Sequence, residues 1–128
     1  MPLLSIGSNL ILTTTAGSTV STGSWYTVPA EIGHITCQAI LTASSVGATA
    51  GSTVYIEVAN TTAIAAATRA TTFALSCTTD VVSDGANFAT SMQGAWKLVR
   101  ARVASLTTST AGSAGSPVVT VYLGAGKA

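Results

Sequence analysis

Charge is scarce in this 128-residue chain: 7% of residues are ionised, against about 25% in an ordinary soluble domain. Five basic residues against four acidic leave a formal net charge of +1. That balance argues against nucleic acid as a partner, since such partners demand a strong basic excess. One histidine, His34, and two cysteines, Cys37 and Cys77, fall short of a four-cysteine zinc site, so no metal is expected. The two cysteines read as small buried apolar side chains, able to pair only if their strands bring them together. Aromatics make up 5%. Long apolar runs are absent, although mean hydropathy is +0.56. A spanning helix needs about 20 largely apolar residues, and Thr, Ser and Gly break every stretch before that, so no membrane partner is expected. The opening "MPLLSIGSNLILTTTAGS" has no basic segment ahead of its apolar part and makes a poor secretory leader. The expectation is a chain that starts close to Met1 and is made in a cytoplasm.

Enzyme chemistry is equally hard to assemble. The carboxylates are Glu31, Glu57, Asp80 and Asp84. Only the last two are close in sequence, where "TTDVVSDGAN" lacks the alternating oxygen ligands and terminal Glu of a calcium loop. His34 has no Ser or Cys motif beside it, and no Gly-rich phosphate loop leads into a helix. The chain is read as a non-enzyme with no catalytic residue and no cofactor.

What fills the sequence instead is Thr, Val, Ser, Ala and Gly in strand-like runs, punctuated by Gly, Ser, Asn and Pro. Candidate strands cover residues 3–14, 19–28, 32–43, 52–59, 72–78, 80–83, 95–106 and 118–123. The run 52–59 alternates most cleanly, with Val54, Ile56 and Val58 on one face and Tyr55, Glu57 and Ala59 on the other. "SDGANF" is a turn signal with Asp-Gly at its heart. "NTTAIAAATRATT" is left open between helix and loop. Seven or eight short strands with no helical layer give an all-β fold: one antiparallel β-sandwich, jelly-roll-like, over residues 15–128. Residues 1–14 are an N-terminal arm or first strand.

The charge that exists is concentrated. "AWKLVRARVAS" (95–105) holds three of the five basic residues and one of the two tryptophans. Alternation puts Lys97, Val99, Ala101 and Val103 on one face and Trp96, Leu98, Arg100 and Arg102 on the other. With the valines in the core, Arg100 and Arg102 project from the outer face beside Trp96. Pairing with Glu57, contact with a neighbouring subunit and phosphate binding are the open readings of that pair. Trp25 and Tyr26 read as rim packing or as a sugar-stacking platform. A surface this poor in charge suits a protein covered by neighbours.

Three segments carry a resemblance: "STVYIEVAN" (52–60), "DVVSDGANFAT" (80–90) and "AWKLVRARVASLTTSTAGSAGSPVVTVYLGAG" (95–126). Together they resemble small virion proteins of tailed bacteriophages, in which a strand ending in Glu-x-Ser/Ala-Asn precedes an "SDG" turn and a Trp–Arg strand of the sandwich. Residues 61–79 have no counterpart. The resemblance implies a structural protein of the virion, assembled in the host cytoplasm. A capsid decoration (cement) protein fits best, binding the major capsid protein and copies of itself, with a trimer favoured. The alternatives are a tail, baseplate or fibre-associated domain and a carbohydrate-binding sandwich. The candidate interface residues are Leu3, Leu4, Ile6, Leu10, Leu12, Trp25, Tyr26, Trp96, Arg100 and Arg102.

Overall fold

A computed structural model describes residues 1–15, 21–42, 50–77, 82–84, 88–91, 96–108 and 118–127. Asp80, the tip of the "SDGAN" segment and most of the two Gly/Ser/Thr-rich connections (43–49 and 109–117) lie outside them.

The strands are β1 (Gly7–Thr15), β2 (Ser21–Thr22), β3 (Tyr26–Thr27), β4 (Ile32–Thr42), β5 (Ala50–Ala59), β6 (Thr68–Cys77), β7 (Val82–Asp84), β8 (Phe88–Ser91), β9 (Leu98–Thr108) and β10 (Val118–Lys127). One sheet runs β1-β10-β4, with β7 and β8 both on the far side of β4; the other has β2 and β3 on one side of β9, then β5 and β6. All pairings between these strands are antiparallel. Counted as broken halves, β2 with β3 and β7 with β8 each make one strand. Eight strands then form two sheets, and every connection except β5–β6 crosses from one sheet to the other. That winding is a jelly roll, and it makes the all-β sandwich a finding.

Period-two alternation builds the core. Ile35, Cys37, Ala39 and Leu41 on β4 face inward with Val119, Val121 and Leu123 on β10, and they meet Val54, Ile56 and Val58 on β5 and Val99, Ala101 and Val103 on β9. Each is at most 2% exposed. Burying a Val, Leu or Ile is worth about 1.5–3 kcal/mol, so the Val, Leu and Ile side chains among these thirteen inward positions hold the two sheets together.

The tip of the Asp-Gly turn signal, residues 85–87, lies outside the described residues; on either side of it Val82–Asp84 pairs with Ile40–Thr42 and Phe88–Ser91 with His34–Cys37, both antiparallel to β4. The alanine-rich "NTTAIAAATRATT" holds only one 3-10 turn, Ile64–Ala66, before β6 begins; its flanking threonines favour strand. Of the two readings of residues 1–14, arm or first strand, the segment holds the first strand, β1, and the stretch before it stays on the molecule. Pro2–Leu4 is pinned to the β3 edge by Leu4 N–H donating to Thr27 O (3.0 Å) and Thr27 N–H donating to Pro2 O (2.9 Å). The chain then turns through Gly7 at φ +108°, a conformation that costs glycine nothing, and enters β1 on the opposite sheet. Asn9 fixes this corner: its Oδ1 accepts from Ser5 N–H, and its Nδ2 donates to Ser5 O and to Leu123 O. Residues 2–15 therefore strap the edge of one sheet to the edge of the other.

β1 carries a bulge between Leu10 and Leu12. The extra residue lets two consecutive side chains, Ile11 and Leu12, serve the core, while Leu10 points out at 54% exposure.

Candidate assembly surfaces

The ten candidate interface residues separate into three groups. Leu4 (2% exposed) is in the core, and Leu12, Tyr26 and Trp96 are half-buried against it. These four do structural work within the chain. Tyr26 also points its hydroxyl at Leu10 O, 3.4 Å away. Alternation places Trp96 on the outer face, available for packing; it lies half-buried against the core.

Leu3, Ile6 and Leu10 stay out in solvent. With Met1 they are four of the five exposed large apolar side chains among the described residues, at 63%, 49%, 54% and 70% exposure; Ile64 is the fifth. All four lie within the first ten residues, along the strap and the outer edge strand β1. Ser5, Ser8 and Thr13 are exposed among them, so the strap presents apolar side chains set between hydroxyls.

The third group is built around Glu57, on the outer face of the β9-β5-β6 sheet. Val99, Ala101 and Val103 face the core as the alternation requires, which turns Arg100 and Arg102 outward. Arg100 does not project into solvent, however. It is 7% exposed, as is Glu57, and its Nε donates to Glu57 Oε1 at 2.8 Å. The half-buried Trp25 ring lies against its guanidinium, 4.3 Å from the centroid. Leu98, on the same face, is also buried. Arg102 reaches Glu57 Oε2 only at 3.9 Å and keeps 36% of its side chain exposed. The pairing with Glu57 is thus the structure's resolution of the Trp–Arg strand, and it takes one face of Trp25 away from any sugar.

The sequence reading missed two members of this group. β6 has a register shift opposite Ile56/Glu57, which sets Arg69 across from Glu57. A one-residue slip exchanges the faces of a strand; here it brings Arg69 to the outer face. Its guanidinium stacks 3.6 Å from the Tyr55 centroid, and Arg102 lies 5.9 Å from the same ring. All three arginines of the chain therefore converge on one face.

On the outer face of the other sheet, His34, Thr36, Gln38 and Tyr122 line an open groove of about 860 Å3 floored by Gly124 and Gly126. Gly124 is required there: a Cβ would stand 2.5 Å from Thr36 Oγ1. Cys37 contributes only its backbone to this side. Its thiol is a free one in the core, and burial pushes its pKa up to about 12. Of the acid–base set considered from sequence, Asp84 pairs across from Ile40. That is six residues along β4 from His34, about 20 Å away, so the two do not share a site.

No protein-family model matches the sequence, and no curated protein matches it. Among solved structures, the chain is similar to one in the structure of infectious bursal disease virus Gx strain, with a TM-score of 0.49 and 16% identity. The match covers 91% of this chain and 30% of that one, so the chain spans less than a third of that protein's length.

Proposed function

We propose that this chain is a structural subunit of a virion, a capsid decoration protein of the tailed-phage kind that binds the shell and other copies of itself. The observation that carries the reading is the run of exposed apolar side chains Leu3, Ile6 and Leu10 along the strap of a jelly roll in which 7% of residues are charged. A jelly roll alone does not choose a function, since capsid and lectin domains share it. The run supplies the choice: exposed apolar side chains along one segment mark a contact surface. Many modest contacts of this type, repeated over a lattice, reinforce a shell through copy number. The partners are the major capsid protein and further copies of the chain, with a trimer favoured; the resemblance of residues 52–60, 80–90 and 95–126 to phage virion proteins supports a place in the virion, and a tail, baseplate or fibre position is the alternative. The chain needs no catalysis, metal or cofactor for this role.

The test is the native mass by sedimentation, followed by electron microscopy of the particle that contains the chain. Deleting residues 1–12 is unsuitable, because it removes Leu4 and Ile11 from the core. Replacing Leu3, Ile6 and Leu10 together with serine leaves the core intact. The wild-type chain is expected to self-associate or occupy shells, and the triple variant to remain monomeric, folded and unbound. A wild-type chain that stays monomeric at high concentration and decorates no particle refutes the reading.

One observation favours a second reading, carbohydrate binding. The groove over Gly124 and Gly126 offers Thr36, Gln38, His34 and Tyr122, hydrogen-bonding groups beside one aromatic ring, which suits a sugar. Binding on a glycan array, lost in Tyr122→Ala, would establish it; an array without signal removes it.

A further inference from the structure

The outer face of the β9-β5-β6 sheet holds more positive charge than it uses. Three guanidinia, Arg69, Arg100 and Arg102, share one carboxylate, Glu57, while the whole chain has a formal net charge of only +1. Glu57 is committed to Arg100, with which it is buried and hydrogen-bonded at 2.8 Å. Arg102 stands 3.9 Å from the other carboxylate oxygen, beyond hydrogen-bond reach. Arg69 is exposed and, among the described residues, meets no carboxylate, only the Tyr55 ring at 3.6 Å. Each guanidinium carries five N–H donors in a rigid fork, so among the described residues two forks have no carboxylate within hydrogen-bond reach. Tyr55 keeps them in place. Stacking on its ring holds Arg69, and draws Arg102 from the other side of β5, with little conformational freedom left to lose on binding.

We infer that Arg69, Arg102 and Tyr55 form a receptor for carboxylates of an acidic protein segment. Paired guanidinia suit carboxylates, which they bind bidentately. Nucleic acid fits less well: its phosphates extend along a strand and call for further cations in line. The two remaining basic residues are Lys97 and Lys127, and Lys127 lies on the other sheet, paired with Ile32. The inference rests on the assembly reading only in taking the partner to be a protein; the site can bind or fail to bind whether or not the chain self-associates.

The test uses the full chain at low salt with a hexaglutamate peptide as probe, followed through the Nε–Hε NMR signals of the arginines. The signals of Arg69 and Arg102 are expected to shift saturably while that of Arg100 stays in place, and added salt to weaken the effect. R69Q/R102Q is expected to bind about tenfold more weakly or not at all with its Tm nearly unchanged; R69K/R102K, which keeps charge but not the fork, falls between. Absence of a saturable shift, a shift centred on Arg100, or full binding by R69Q/R102Q overturns the proposal. So does an oligothymidylate that binds as tightly at the same salt and is lost in the same variant, which would make the site one for nucleic acid. Sedimentation of the same samples reports the assembly reading separately.

Discussion

Replacing Glu57 with glutamine is the most informative perturbation of the fold. The side chain keeps its shape and one oxygen, but the charge goes. Arg100, 7% exposed and held between Glu57 and Trp25, is then left without an adjacent anion. Removing one partner of a buried ion pair costs about 3–5 kcal/mol, because the survivor remains desolvated and unpaired. The glutamine oxygen can still accept from Nε, so the low end applies, about 3 kcal/mol. For a domain of this length that is a drop of roughly 10 °C in Tm, and a substantial share of the total stability expected of such a chain. The converse change, Arg100→Met, is expected to cost less. Glu57 has a second cation in reserve: Arg102 is already at 3.9 Å from Oε2 and can close that gap, whereas no second carboxylate stands beside Arg100 among the described residues. Paired E57Q/R100M removes both charges and is expected to lie closer to the wild type than E57Q. Urea unfolding of the four proteins, read as midpoints with m held common, measures the cycle. If E57Q costs less than about 1 kcal/mol, the pair behaves as a solvent-screened surface bridge and the argument from burial fails. If R100M costs as much as E57Q, the reserve role of Arg102 fails.

The remaining predictions are independent of that network. Gly124→Ala is expected to destabilise by about 1–3 kcal/mol, because its Cβ would meet Thr36 Oγ1 at 2.5 Å; adding Thr36→Ala should restore most of the loss in thermal melts, since the next atom is 3.9 Å away. Ser52→Ala is expected to raise stability by about 1 kcal/mol, because Ser52 Oγ is buried without a hydrogen-bond partner among the described residues; an unchanged or lower denaturation midpoint counts against this. Cys37 is expected to resist thiol reagents in the native state and to react only on unfolding, as peptide mapping after labelling would show. Its pKa is raised from 9.0 to about 12, so the unfolded chain loses the proton first. The stabilisation is complete below pH 9 and is lost progressively as pH rises towards 12, by about 1.4 kcal/mol per pH unit. Cys37→Ala should flatten that part of the stability–pH curve relative to the wild type.

The alternation rule made the inward faces legible and failed wherever a strand took in an extra residue. Val54, Ile56 and Val58, and Val99, Ala101 and Val103, were readable because a half-buried strand repeats every two residues and nothing interrupts the count within those stretches. Leu12 and Ile11 are adjacent in sequence yet both serve the core, which no strict alternation allows; only the bulge in β1 reconciles them. Arg69 shows the same effect with a larger consequence. In "TTAIAAATRATT" it looks like a lone charge in an alanine-rich segment of undecided structure. It joins Arg102 on Tyr55 because β6 slips by one residue opposite Glu57. The signal that would have found it is weak but physical: Tyr55 is an aromatic on the outward face of the cleanest strand of the sequence, and such a ring takes a guanidinium from a neighbouring strand on its face. The short strands β7 and β8 were harder to read for another reason: they are three and four residues long, too short for alternation to show, and it is the edge of β4 that gives their backbone its partners. Bulges and broken edge strands are therefore where this fold departs from its sequence pattern. One of them, in β6, turns Arg69 to the outer face beside Tyr55 and so brings the chain's three arginines together there.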